Sequence, residues 1–279
     1  MAKSGRTGSG RTGRDASGIA PGRSRPPMTT QELERYARHI VLREVGGPGQ
    51  NRLRGARMLV VGAGGLGSPV LEYLAAAGVG TISVIDHDIV SLSNLQRQVL
   101  FDETHLGRPK VEAARERIGR LNPGVRVQPI ECRFGPDNAR AIVDGTDLVL
   151  DGTDSFETRH CVNRAAVDAG VPLVSGAISQ WEGQVTVFFP AGGTPCYACV
   201  FPDAPMPGTA PSCAEAGVIG ALPGIIGAMM AAEAIKIVTG AGTPLLGVML
   251  IHDVLFGESR KIRLTRRDEC PVCGEVAGS

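Results

Sequence analysis

The chain is short of lysine, carries no excess of either charge, and contains no apolar run long enough to span a bilayer. Its 29 basic and 28 acidic side chains leave a formal charge of +1. No field exists that would by itself hold a polyanion, so nucleic acid is not an expected partner. Arg outnumbers Lys 25 to 4, which codon bias explains more simply than selection for bidentate anion contacts. The longest apolar stretch, Val218 to Ala232, contains Pro223 and runs into Glu233, short of the roughly 20 residues that a membrane span needs. No apolar segment follows Met1 as in a secretory signal. A protein away from the membrane is expected. At 279 residues and 43% hydrophobic, one large α/β domain or two small ones can form a core. Seven cysteines point to metal or thiol chemistry in a reducing compartment, and the cytoplasm is the expected location.

Residues 1–27 hold Gly, Ser, Arg and Pro with Ile19 as the one large aliphatic. They cannot bury enough surface to offset ordering entropy, so a disordered tail is expected there, followed by a single domain over 28–279. Thr29-x-x-Glu32 reads as a capping box, and Leu33, Tyr36, Ala37, Ile40 and Val41 continue at helical spacing, predicting one helix from about Thr30 to Arg43. Short aliphatic runs then alternate with helical segments: strands at 58–61, 81–85, 125–131, 147–151 and 172–175, and helices at 65–78, 109–121, 136–143 and 156–169. That alternation predicts a doubly wound, Rossmann-like, mostly parallel sheet with right-handed crossovers. From Gln184 the pattern turns to antiparallel alternation, then a Pro/Gly-rich loop, a helix near 222–239 and strands at 246–251 and 259–264. There is no internal repeat.

Gly62-Ala-Gly64-Gly65-Leu-Gly67 follows the first strand, opens a helix, and has Asp86 at the end of the next strand, 19 residues on. In a nucleotide-binding turn, Gly62 permits the tight bend, and Gly64 and Gly65 let backbone N–H groups approach a phosphate. Gly67 lets helix and strand pack closely, and Asp86 accepts hydrogen bonds from a ribose diol. A glycine loop alone also suits an NAD-dependent oxidoreductase. Downstream, however, stand Arg97 and Lys110, two cations within reach of a triphosphate extending from that ribose. Asp154 ends a parallel strand, where a carboxylate can hold Mg²⁺. A non-catalytic scaffold for a protein partner is the other alternative.

These spacings resemble the ubiquitin-activating-enzyme-like adenylyltransferase family, in particular its compact members that activate sulfur-carrier proteins for molybdopterin and thiamine synthesis. The likeness runs from about residue 29 to 273 and rests on Arg35-Tyr36-Ala37-Arg38, the glycine loop, Ser91 to Gln98, Lys110, Asp154, Arg159 and Asn163. The resemblance implies that Asp86 binds ribose, that Asn94, Arg97 and Lys110 bind phosphates, and that Asp154 binds Mg²⁺. It also implies a homodimer in which Arg38 enters the neighbouring subunit's site. The implied substrates are ATP and a ubiquitin-like sulfur carrier ending in Gly-Gly, with a separate sulfur donor. Ser155 departs from the Asn common among relatives.

The residue types suit that chemistry. A C-terminal carboxylate is already ionised at neutral pH, so its attack on the α-phosphate needs charge neutralisation and no general base. The five histidines are accordingly scattered. Cys196-x-x-Cys199 and Cys270-x-x-Cys273 supply four thiolates for a closed structural Zn²⁺ site, which the resembling family also carries. Cys132 and Cys161 read as small buried hydrophobes. Cys213 stands where some family members link a cysteine to the activated carrier, and is either that nucleophile or a loop thiol.

Overall fold

The structure, a computed structural model, describes Arg23, residues 25–203 and residues 216–274. Cys213 lies outside the described residues, as does all of the expected tail except Arg23 and residues 25–27. Arg23 pairs with Asp147 at 3.1 Å, and Pro26 accepts a hydrogen bond from Arg54.

Eight strands form one sheet in the order β3-β2-β1-β4-β5-β6-β7-β8. β1 (Arg57–Val61), β2 (Thr81–Asp86), β3 (Arg126–Glu131), β4 (Leu148–Asp151) and β5 (Leu173–Ser179) run parallel. β6 (Glu182–Phe188), β7 (Val248–Asp253) and β8 (Glu258–Arg263) extend the sheet antiparallel. The period-2 alternation of β1 explains the double winding. Met58 and Val60 enter one core with helices α4 (Gly67–Ala76), α5 (Lys110–Leu121) and α9 (Ala221–Thr239), while Leu59 and Val61 enter the opposite core with α6 (Pro136–Val143) and α7 (Phe156–Ala169). All four are buried on a strand covered on both faces, each contributing about 1.5–3 kcal/mol. Contrary to the sequence reading, which ended the apolar run at Ala232, α9 continues past Glu233 and is long and apolar enough for a membrane, but Leu222, Ile226, Met230 and Ala234 recur every fourth residue and are fully buried, so it packs within the fold.

The expected helix over 30–43 is instead two, α1 (Thr30–Arg35) and α2 (Ala37–Ile40), broken at Tyr36. The capping box forms as expected, but Tyr36 turns inward, 5% exposed, and its hydroxyl accepts a hydrogen bond from buried Asn122. Leu33 and Val41 of the presumed apolar stripe remain exposed. A further helix, α3 (Gly46–Gly55), occupies what reads as a Gly/Pro break. Pro48 falls in its first turn, where a missing N–H is no loss. A four-residue helix, α8 (Tyr197–Val200), capped by Cys196, interrupts the expected loop.

Candidate active site

β1 and β4 are neighbours from which the chain departs in opposite directions, and the crevice beyond their C-terminal ends is where open α/β sheets bind ligands. A cavity of about 350 Å³ lies there, lined by Gly62, Gly64, Gly65, Asp86, Asn94, Arg97, Lys110 and Asp154. Eight residues expected from sequence to form the site therefore meet in one place.

Each is placed by local structure. Gly62 has φ +91°, open to glycine at little cost, and Gly67 lies against its carbonyl. A Cβ on Gly67 would stand 2.0 Å from the Gly62 oxygen, whereas one on Gly64 would meet only the Gln98 side chain at 3.7 Å. Gly67→Ala is thus expected to lower stability by about 1–3 kcal/mol, with Gly64→Ala near wild type, as thermal unfolding would show. Asp86 ties the loop to β2: one carboxylate oxygen accepts the Ala63 N–H at 2.7 Å, the other the Asp88 N–H at 2.9 Å. Arg97 donates to the Ser93 carbonyl at 3.2 Å, and Asn94 accepts from the Ser91 N–H.

Lys110 is 4% exposed, and its ammonium donates to Asp88 at 2.9 Å. Burial pushes the Asp88 carboxyl up, but the hydrogen bond and charge of Lys110 outweigh it and hold the group below its ordinary range. Asp154 is exposed on the cavity wall and makes no hydrogen bond or ion pair with another described residue. Ser155, the departure noted above, caps α7 by accepting the Thr158 N–H, a role in which Ser is as suitable as Asn.

Two expected site residues do not join this cavity. Gly67 serves packing, and Arg38 lies exposed on α2, away from its own chain's pocket. Other wall residues were missed by sequence reading: Asp88, Gln98 and the Cys132-Arg133-Phe134 strip after β3. Gln98 is 3% exposed, with its side-chain oxygen lacking a partner among the described residues. The Asp-x-Asp spacing at the end of β2 was the available signal for Asp88; Phe134 had none. Cys132 and Cys161 are only partly buried, contrary to expectation, because Cys132 lines the site and Cys161 a groove between α6 and α7.

About the C-terminal cysteines, Cys196 and Cys270 approach to 3.6 Å between sulfurs, Cys199 and Cys273 to 3.5 Å, and Cys196 and Cys199 to 3.9 Å. All four are buried. A tetrahedron with metal–sulfur bonds of about 2.3 Å has edges of about 3.8 Å, so the donor set fits one zinc ion. These distances exclude disulfides. Burial pushes the Cys196 thiol up to about 11. At Cys270 burial acts in the same direction, but backbone N–H groups and neighbouring sulfurs outweigh it and bring the thiol to about 7.

The model of the family described as ThiF matches residues 36–272. The chain belongs to the ThiF family. The ThiF match includes the whole cavity and three of the four clustered cysteines, ending one residue before Cys273. The sulfur carrier protein adenylyltransferase of Thermus thermophilus is 50% identical over 251 residues, covering 88% of this chain and 93% of the relative. The molybdopterin-synthase adenylyltransferase of Salmonella typhimurium is 42% identical, covering 89% of this chain and 99% of that protein. Among solved structures, E. coli MccB with ATP aligns at TM-score 0.75 and 25% identity, covering 88% of this chain and 75% of that one.

Proposed function

We propose that this chain uses ATP and Mg²⁺ to convert the C-terminal glycine carboxylate of a small ubiquitin-like sulfur carrier into an acyl-adenylate, releasing pyrophosphate. The observation that carries this reading is the convergence of Arg97, Lys110 and Asp154 with the glycine loop and Asp86 in one cavity. An oxidoreductase has no use for two cations and a carboxylate at that end of the pocket. The names of the curated relatives support the carrier as substrate.

On this reading Asp86 holds ribose, and the loop amides, Asn94, Arg97 and Lys110 orient the triphosphate. The carrier carboxylate attacks the α-phosphorus in line, and the P–O bond to pyrophosphate breaks. No proton need move, because the nucleophile is already ionised. Lys110 and Arg97 stabilise charge gathering on the departing pyrophosphate. Asp154 would hold Mg²⁺, which supplies further charge neutralisation when bound. The four cysteines hold a structural zinc ion. The enzyme acts in the cytoplasm as a homodimer whose Arg38 completes the partner's site, and a separate donor supplies sulfur to the activated carrier. Cys213 remains a proposed acceptor for that carrier.

Carrier-dependent exchange of labelled pyrophosphate into ATP tests the proposal. Exchange is expected only when carrier, ATP and Mg²⁺ are all present. Nicotinamide binding without ATP binding, or an absence of exchange, would overturn it.

A further inference from the structure

Arg159, on the first turn of α7, reads from sequence as either a substrate contact or an ordinary surface arginine. The structure sets it on the cavity wall and turns its guanidinium to the backbone. Its Nε and one terminal nitrogen both donate to the Thr153 carbonyl, at 3.1 and 2.7 Å. That carbonyl belongs to the peptide entering Asp154. From the other side, the Thr153 N–H and hydroxyl donate to one oxygen of Asp151, at 2.9 and 2.7 Å. Asp151 is fully buried, and its second oxygen has no hydrogen-bond partner among the described residues. Burial pushes the Asp151 carboxyl above its ordinary range, against the opposing pull of the Arg159 charge and the Thr153 hydrogen bonds. The peptide that positions Asp154 is therefore gripped between a buried acid and a guanidinium.

Tyr197 lies between Cys196 and Cys199, in the cysteine knuckle. Its ring stands edge-on to Phe188 at 5.9 Å and to His160 at 5.2 Å, and its N–H donates to buried Asn163 at 2.9 Å. Asn163 is four residues after Arg159 on α7, so one helix face meets both the Asp154 loop and the knuckle.

We propose that Arg159 is a positioning residue for Asp154, gripping the carbonyl of the peptide that enters it and so setting the affinity for Mg·ATP. This rests on reading the cavity as an ATP site. The consequence is selective: a nucleotide bound without a metal ion does not depend on Asp154.

The test is equilibrium binding by calorimetry, without carrier, of Mg·ATP and of metal-free AMP, with zinc content measured on each protein. Arg159→Gln is expected to weaken Mg·ATP by about tenfold or more, with AMP affinity and zinc content unchanged, and Arg159→Lys to recover part of that. Unchanged Mg·ATP binding in Arg159→Gln, or an equal loss of AMP binding, overturns the brace. A wild-type protein that binds no Mg·ATP overturns the ATP reading instead. Should Arg159→Gln fail to fold, the same comparison on Arg159→Lys decides, with Mg·ATP weakened several-fold and AMP unchanged as the expected result.

Discussion

The Lys110→Met variant is expected to lose about 10²- to 10³-fold in carrier-dependent pyrophosphate exchange. Methionine keeps the buried stem and removes only the ammonium, so the fold should be retained. Two effects act in the same direction. The departing pyrophosphate loses a cation, and Asp88, which Lys110 pairs at 2.9 Å, keeps the exposed His87 ring at 3.5 Å but loses its close cation on the wall of a site that takes a polyanion. The Asp88 side chain is 54% exposed, so the pair itself adds little stability. Its pH dependence follows from the depressed carboxyl: the contribution is present above the ordinary aspartate range and is lost as pH falls through the lower, folded-state value. Adding Asp88→Asn to Lys110→Met separates the two effects, because it removes the exposed negative charge. Recovery of about tenfold is expected if that charge repels the triphosphate. Full exchange by Lys110→Met, measured at saturating ATP, would remove Lys110 from the chemistry.

That prediction depends on a pairing that no linear pattern displays. Lys110 and Arg97 were legible because they follow a strand–glycine loop–helix unit whose geometry is stereotyped, and the 58–61 run alternates sides as a two-faced strand must. Asp88 was harder: its partnership with Lys110 arises from a turn after β2 that brings together residues 22 apart. The helix break at Tyr36 was not legible, since the group that draws the ring inward, Asn122, is 86 residues away. Helix α3 was hidden by Gly46-Gly47-Pro48-Gly49, residues that locally oppose helix but here supply its close-packed start. A Cβ on Gly49 would crowd Val45 at 3.1 Å and Thr239 at 3.4 Å. Local propensity reports the chain's own preference, while these features answer to distant partners. Arg159 shows the same limit at the site, its helix position legible and its grip on the Thr153 carbonyl not.

The second large effect concerns the cysteine cluster. Apart from the cysteines themselves, the small core around it has, among the described residues, Val167, Ala198 and partly buried Val272, too little apolar surface to hold the chain end by burial. Among the described residues Arg164 also reaches across to the Pro271 carbonyl at 2.9 Å, while the bond from Arg266 to the Cys273 carbonyl lies within the terminal segment itself. Both are polar and partly open to water. On the proposed zinc reading a shared metal ion supplies most of the attachment, and proton competition at the thiols makes it pH-dependent, weakening as pH falls. Cys273→Ser is expected to reduce zinc from one per chain to near none and to lower Tm by about 6–12 °C, taking a loss of about 3 kcal/mol in a domain of this size. The loss should be local. Hydrogen exchange should rise over 264–274 and around α8 while β1 and β4, whose cores lie elsewhere, stay protected. Cys132→Ser, outside the cluster, is the control and should retain its zinc. A Cys273→Ser protein with full zinc content and unchanged Tm would mean that the thiols cluster without a metal, and the chain end would need another explanation for its place beside Tyr197.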